Sequence, residues 1–177
     1  GFAGISAYYE QKEHYRRHPE RWDAEYDHVF IRRDLERLLG TEHELPRQDT
    51  TAVDPPVERI DDLDIIRTSF PSEGSIRIPA ILVRRHDAKE LLPVTILCAA
   101  EGKDALLAER TTVFRLAREG ALVVLPDVRF FGELSEERTA AKGIGAWDRN
   151  AIVWGRPLLG MTATDLCAVA EGVEERP

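Results

Sequence analysis

The sequence has only two cysteines, Cys98 and Cys167. They stand far apart, each in an apolar stretch, so two buried free thiols are expected rather than a disulfide. No run approaches the ~18 consecutive apolar residues of a membrane helix, and a membrane partner is not expected. Basic residues are in deficit: 24 Lys and Arg stand against 32 Asp and Glu, a net charge of −8. Non-specific nucleic-acid binding depends on cations that neutralise phosphates, so nucleic acid is excluded as a partner. Neither G-x-G-x-x-G nor G-x-x-x-x-G-K-[ST] occurs, so no nucleotide cofactor, nor any other, is expected. H-E-x-x-H is missing too. His14 and His18 have i,i+4 spacing but no third ligand in view, and read as solvated histidines on a charged helix rather than a metal site. Nothing at the start resembles a signal peptide, since no basic segment precedes an apolar one. The compartment stays unassigned.

What remains is an ordinary soluble composition, 43% hydrophobic and 32% charged, in 177 residues. That length allows one domain with a real core. Residues 1–45 read as a helical extension: Trp22, Tyr26, Val29, Phe30 and Leu35 to Leu39 recur at spacings of three and four, and Gly40 is a stop. Residues 46–56, with Pro46, Pro55 and Pro56, read as a linker. Residues 57–177 form the α/β part. Val57–Ser69 and Ser75–Arg84 are expected strands around a Pro71-Ser72-Glu73-Gly74 turn, an antiparallel hairpin. The unbroken apolar run Pro93–Ala99 suits a central parallel strand covered on both faces. Asp104 is a candidate cap for a helix with the stripe Leu106, Leu107, Val113, Phe114 and Ala117, ended by Gly120. Ala121–Pro126 is the next apolar strand, which completes a β-α-β unit. A long loop is expected over about 127–156. A last helix over about 158–175 would bury Leu159, Leu166, Val169, Ala170 and Val173. The expected architecture is therefore α/β: a mostly parallel sheet with an antiparallel N-terminal hairpin, preceded by a helical extension. Such a sheet would leave one side of its central strand unpaired, which argues that more follows, either a further strand or a partner chain or second copy at the open edge.

Three stretches resemble the α/β-hydrolase superfamily, in its acetyl xylan esterase and dienelactone-hydrolase-like branch. The hairpin followed by Pro93–Gly102 is similar to that family's opening strands and oxyanion loop. Leu125-Pro126-Asp127-Val128-Arg129-Phe130-Phe131-Gly132-Glu133-Leu134-Ser135 resembles its D-x-R-G-x-G-x-S turn. Trp147–Ala151, Gly155–Met161, Asp165 and the closing Glu-Arg-Pro resemble the run into the helix before the nucleophile. The resemblance covers about two thirds of the chain and implies an incomplete α/β-hydrolase fold, the N-terminal portion only. It further implies a Ser-His-acid triad whose G-x-S-x-G elbow would begin some ten to fifteen residues beyond Pro177. No catalytic residue is therefore expected in this chain. Ser6, Ser69, Ser72, Ser75 and Ser135 all lie outside a G-x-S-x-G context, and Ser135 reads as a turn serine. Of the other histidines, His28 and His43 precede the sheet and His86 lies in a connection.

The same resemblance marks the backbone of Ala100, Glu101 and Gly102 as candidate oxyanion donors. Here Ala99-Ala100-Glu101-Gly102 replaces the family's His-Gly-x-Gly, and a backbone N–H needs no particular side chain. A plain strand-to-helix turn explains Gly102 as well. Arg129, Phe130 and Phe131 replace small residues at the carboxyl end of a strand, where open α/β sheets bind ligands. They are candidate pocket-lining residues, as is Trp147; packing beneath the 127–156 loop is the equal alternative, and Trp154 carries the same ambiguity. Asp127 and Glu133 pair as carboxylates only on paper, since turn formation and surface exposure account for them. Two functions follow. One is the N-terminal part of a serine carboxylic-ester hydrolase acting on a small ester, inactive alone. The other is a non-catalytic α/β module that binds a ligand or a partner.

Overall fold

The computed structural model describes residues 24–41, 56–88, 92–135 and 144–174. The expectations for His14, His18 and His43, for most of the 1–45 extension and for most of the 46–56 linker lie outside them. The chain divides into two compact units, Gly1–Leu38 and Leu39–Pro177. Of the first, one helix is described, α1 (Ala24–Leu39), which starts there and ends in the second unit. Gly40 follows it with φ 67°, the left-handed conformation that closes many helices.

The described residues of the second unit form five strands: β1 (Val57–Ile60), β2 (Leu63–Pro71), β3 (Arg77–Arg85), β4 (Val94–Ile96) and β5 (Leu122–Pro126). Their order across the sheet is β1-β2-β3-β5-β4. The expected strand Val57–Ser69 is in fact two. Ile60 pairs with Leu63, so Asp61-Asp62 forms a two-residue hairpin loop. Asp61 takes φ 53° there, a conformation that Asp tolerates better than most residues. β2 and β3 make the expected antiparallel hairpin, from Leu63 opposite Arg85 to Pro71 opposite Arg77.

Parallel pairing is confined to β4 and β5, with Val94 opposite Leu122 and Ile96 opposite Val124. The other three pairings are antiparallel, a smaller parallel share than the mostly parallel sheet expected. For two of them the reason is local: short turns join β1 to β2 and β2 to β3, and such a turn reverses the chain. The apolar run Pro93–Ala99 also sits elsewhere than expected. Only Val94–Ile96 is strand, and among the described residues it is the sheet's edge. Of the two parallel strands β5 is the interior one, buried from Val123 to Pro126.

Both faces of the sheet are covered. On one, Leu63, Ile65, Ile81, Val83, Val123 and Leu125 meet Val113, Phe114 and Ala117. On the other, Phe70, Ile78, Ala80, Leu82 and Val124 meet Val128, Val169 and Val173. The alternation of Ala80 and Leu82 with Ile81 and Val83 is the two-residue period of a strand. Between β4 and β5 the expected single helix is broken into α2 (Lys103–Glu109) and α3 (Thr111–Arg118), with Arg110 at φ 58° between them. Asp104 is not the cap. Gly102 holds that position, and Asp104 pairs with Arg67 at 2.9 Å.

The 127–156 loop is less loop than expected. It contains a 3₁₀ turn at Gly132–Leu134 and a helix, α4 (Ile144–Val153). α5 (Leu158–Glu174) matches the last expected helix and buries Val169 and Val173, but Leu159 is 71% exposed. Both thiols are exposed and free, against the expectation of burial. Cys98 lies just past the short edge strand, and Cys167 sits on the side of α5 away from Ala168 and Val169.

Candidate functional site

The carboxyl ends of β4 and β5 lie side by side, and the chain leaves each in a turn. From β4 it runs through Ala99–Gly102 into α2; from β5 it runs through Asp127–Ser135. Asp127 joins the two turns. One of its carboxylate oxygens accepts the Lys103 N–H at 2.6 Å. The other accepts the Glu133 N–H at 2.9 Å and the Lys103 ammonium at 2.8 Å. Lys103 also binds the Glu133 carboxylate. Asp127 is 1% and Lys103 3% exposed. Burial alone would lower the Lys103 pKa, but its hydrogen bonds to Asp127 and Glu133 outweigh that and raise it, so the ammonium stays charged.

Two glycines make the approach possible. A Cβ on Gly102 would lie 2.5 Å from Gly132 Cα and 2.9 Å from an Asp127 oxygen, and a Cβ on Gly132 would overlap the Asp127 carboxylate. Both have positive φ, 90° and 50°, so glycine is needed on backbone as well as steric grounds.

A second network lies beside the first. Arg129 grips Asp165 in a bidentate pair, Nε and Nη2 each at 2.9 Å, and its backbone N–H donates to the same carboxylate at 3.0 Å. It further donates to Glu73 and to the Met161 carbonyl. Arg156 also binds Glu73, and the buried Ser72 hydroxyl donates to Asp165 at 2.6 Å. Burial would raise the Glu73 carboxyl, but Arg156 and Arg129 hold it below its ordinary range. The Pro71–Ile76 turn, the 127–135 turn, Arg156 and α5 are thus bound by charge-assisted hydrogen bonds, the stronger kind.

The expected site residues divide accordingly. Ala100 and Glu101 are exposed, and among the described residues neither N–H has an acceptor. Gly102 is buried, and its N–H already donates to the Ala99 carbonyl at 3.0 Å. Arg129 spends its guanidinium inside the protein. Phe130 is exposed at φ 75°, while Phe131 packs on the Val128–Val169 side of the core. Trp147 falls in α4, and its side chain is outside the described residues. Trp154 is 81% exposed.

Neither Ser72 nor Ser135 is poised as a nucleophile. Ser72 is fully buried, and Ser135 donates to the Gly132 carbonyl within its own turn. The Cys98 thiol is pushed up by the covered part of its side chain and by Asp127, which disfavours the reactive thiolate. His86 does meet a carboxylate, Asp64, at 3.2 Å. The strand register puts that pair at the opposite end of the sheet, since Asp64 pairs with Arg84 and Val83 with Val123. Among the described residues no group of three or more His, Cys, Asp or Glu could hold a metal ion, and no helix is long and apolar enough to cross a membrane.

Lys103, Ser72, Glu73 and Arg156 were not singled out as site residues from sequence. Asp165 carried a signal: an acid among Thr164, Ala168 and Val169 on the buried side of α5 must find partners inside.

This sheet order, with a strand-to-helix turn beside the carboxyl end of the neighbouring strand, belongs to an α/β-hydrolase-type fold, of which the chain carries a part. The fold is shared with a solved structure from Bacteroides fragilis NCTC 9343 described as a "putative acetyl xylan esterase", at TM-score 0.65 and 16% identity. That match covers 84% of this chain and 42% of the other, so the chain spans about two fifths of its length. A structure described as a "Putative Dienelactone Hydrolase", from Klebsiella pneumoniae subsp. pneumoniae MGH 78578, is similar at TM-score 0.47 and 24% identity, over 66% of this chain and 45% of that one. No protein-family model matches the chain, and no curated protein does.

Proposed function

We propose that this chain is the N-terminal part of a serine carboxylic-ester hydrolase of the acetyl-esterase kind. The observation that carries the reading is the Ala99–Gly102 turn at the carboxyl end of β4, with two backbone N–H groups that have no acceptor among the described residues. Such groups can stabilise the negative oxygen of a tetrahedral intermediate. In this reading Ala100 and Glu101 contribute those donors, and Gly102 shapes the turn. The nucleophilic serine, the histidine and the acid that orients it come from outside these 177 residues. The serine attacks the ester carbonyl, and the histidine takes its proton. A small ester, such as an acetylated carbohydrate, is the substrate class. Alone, the chain has no triad-dependent turnover.

The second reading is a non-catalytic module that binds a partner chain. The observation that favours it is the outer edge of β4, beside which no strand stands among the described residues. The intact mass of the protein from its source separates the two. A mass about twice the 20.0 kDa of this chain, with labelling by a serine-reactive phosphonate and turnover of p-nitrophenyl acetate, supports the hydrolase. A mass of 20.0 kDa without labelling supports the binding module. Labelling of the 177-residue chain itself would overturn the placement of the triad.

A further inference from the structure

We propose that Asp127, with Lys103, is a positioning residue for the Ala99–Gly102 turn, which it holds in the conformation that leaves the Ala100 and Glu101 N–H groups free. The use of those groups in ester hydrolysis rests on the reading above; the geometry that holds the turn does not. Two tethers hold the turn, and a third holds the segment beside it. The end of the turn is fixed where Lys103 N–H meets one Asp127 oxygen at 2.6 Å. Its middle is fixed where the Ala100 carbonyl accepts the Gly132 N–H at 3.5 Å. Its neighbour, the Gly132–Leu134 turn, is fixed where Glu133 N–H meets the other Asp127 oxygen at 2.9 Å. One carboxylate therefore serves two segments at once, and each of its three hydrogen bonds is one it accepts.

This makes a sharp distinction between Asp and Asn at position 127. A side-chain amide has one acceptor oxygen; its other end is an NH₂ donor. Asn can accept from Lys103 N–H or from Glu133 N–H, but its amino group would then face a second donor. One of the two turns must let go. Lys103 acts differently. Its ammonium neutralises the buried carboxylate, while its backbone N–H would stay in place if the side chain were exchanged. Asp127 therefore fixes the turn directly, and the Lys103 side chain does so through Asp127.

The test uses the full-length protein that contains this chain, unsubstituted and as Asp127→Asn and Lys103→Gln. Steady-state kinetics on p-nitrophenyl acetate give kcat and KM. Nitrogen-15 relaxation gives the order of the Ala100 and Glu101 amides. We expect Asp127→Asn to lower kcat by about 10- to 100-fold, in line with a small misplacement of catalytic donors. KM should stay within about threefold, because these donors act on the developing charge rather than on the bound ester. The two amides should become less ordered. Lys103→Gln should move both readouts in the same direction by less, and it decides the matter if Asp127→Asn does not fold. Unchanged kcat together with unchanged amide order in a folded variant overturns the proposal. An unsubstituted protein that turns over no ester removes the esterase reading instead, and the amide order then decides on its own whether Asp127 holds the turn.

Discussion

The two ends of the sheet carry similar charges under different conditions. At the end where β4 and β5 finish, Lys103, Asp127 and Asp165 are nearly or fully buried, and each is met by directed hydrogen bonds. At the other end, Arg118 reaches Asp61 and Asp62, and Arg85 reaches Asp87, all of them exposed, and the buried Asp64 is met by Arg59 and His86, both exposed. In water, an exposed pair gains little, because solvent and salt screen it and two long side chains must be held still. A buried pair has given up hydration on both sides, so removal of one partner strands the other. Both ends carry ion pairs, but only where β4 and β5 finish are both partners of a described pair buried or nearly so, and that is the end the fold depends on.

The comparison can be broken most directly at Asp165. Asp165→Ala would leave Arg129 and Ser72 without their main acceptor, and should lower unfolding free energy by about 3–5 kcal/mol in a urea titration. A loss no larger than that of a surface substitution would mean the network is not what binds α5 to the two turns. An acid titration gives a subtler handle. Arg156 and Arg129 overcome burial and hold the Glu73 carboxyl below its ordinary 4.5. A folded value below the unfolded one contributes stability that is fully present above the unfolded value and is lost as pH falls through the folded one. Urea midpoints should therefore fall as pH drops below about 4.5, and Glu73→Gln should shallow that fall while lowering stability at neutral pH. A Glu73→Gln curve parallel to the wild type would show that acid lability comes from another group. The smallest effect is expected at the opposite end. Arg118→Gln should leave the midpoint unchanged within error and insensitive to added salt. A measurable loss there would erase the contrast between the ends.

Much of the core was legible in the sequence, for a physical reason in each case. Ala121–Pro126 is uniformly apolar because β5 is covered on both faces. The apolar positions of α5 mark the side that meets the sheet, and Pro71–Gly74 marks the turn between β2 and β3. Other features depend on what lies across space. The two aspartates that divide β1 from β2 look like ordinary strand-flanking charge until Ile60 is seen opposite Leu63. Pro93–Ala99 reads as interior from composition alone, although strand order, not hydrophobicity, puts β4 at the edge of the described sheet. Helix α4 (Ile144–Val153) is hidden within a stretch, 127–156, that reads as one connection. The site was less legible than the fold. Asp127 reads equally well as a turn-former, and nothing in Gly-Lys-Asp at 102–104 says that the lysine points inward. Arg129 stands out as a large residue at the carboxyl end of a strand, yet its guanidinium binds Asp165, Glu73 and the Met161 carbonyl inside the protein.

The two networks also differ in how far apart their members lie along the chain, and this bears on the order in which the protein folds. Lys103 and Asp127 are 24 positions apart, within one β-α-β unit. Ser72 and Asp165 are 93 apart. Closing the longer loop costs about 1 kcal/mol more in chain entropy. As the chain leaves the ribosome, the clamp around Asp127 can form while α5 is still being made. Ser72 and Arg129 must wait for Asp165. Until α5 docks, this part of the nascent chain holds unmatched charge beside an uncovered sheet face, and that interval is when it is most exposed to aggregation and to chaperones.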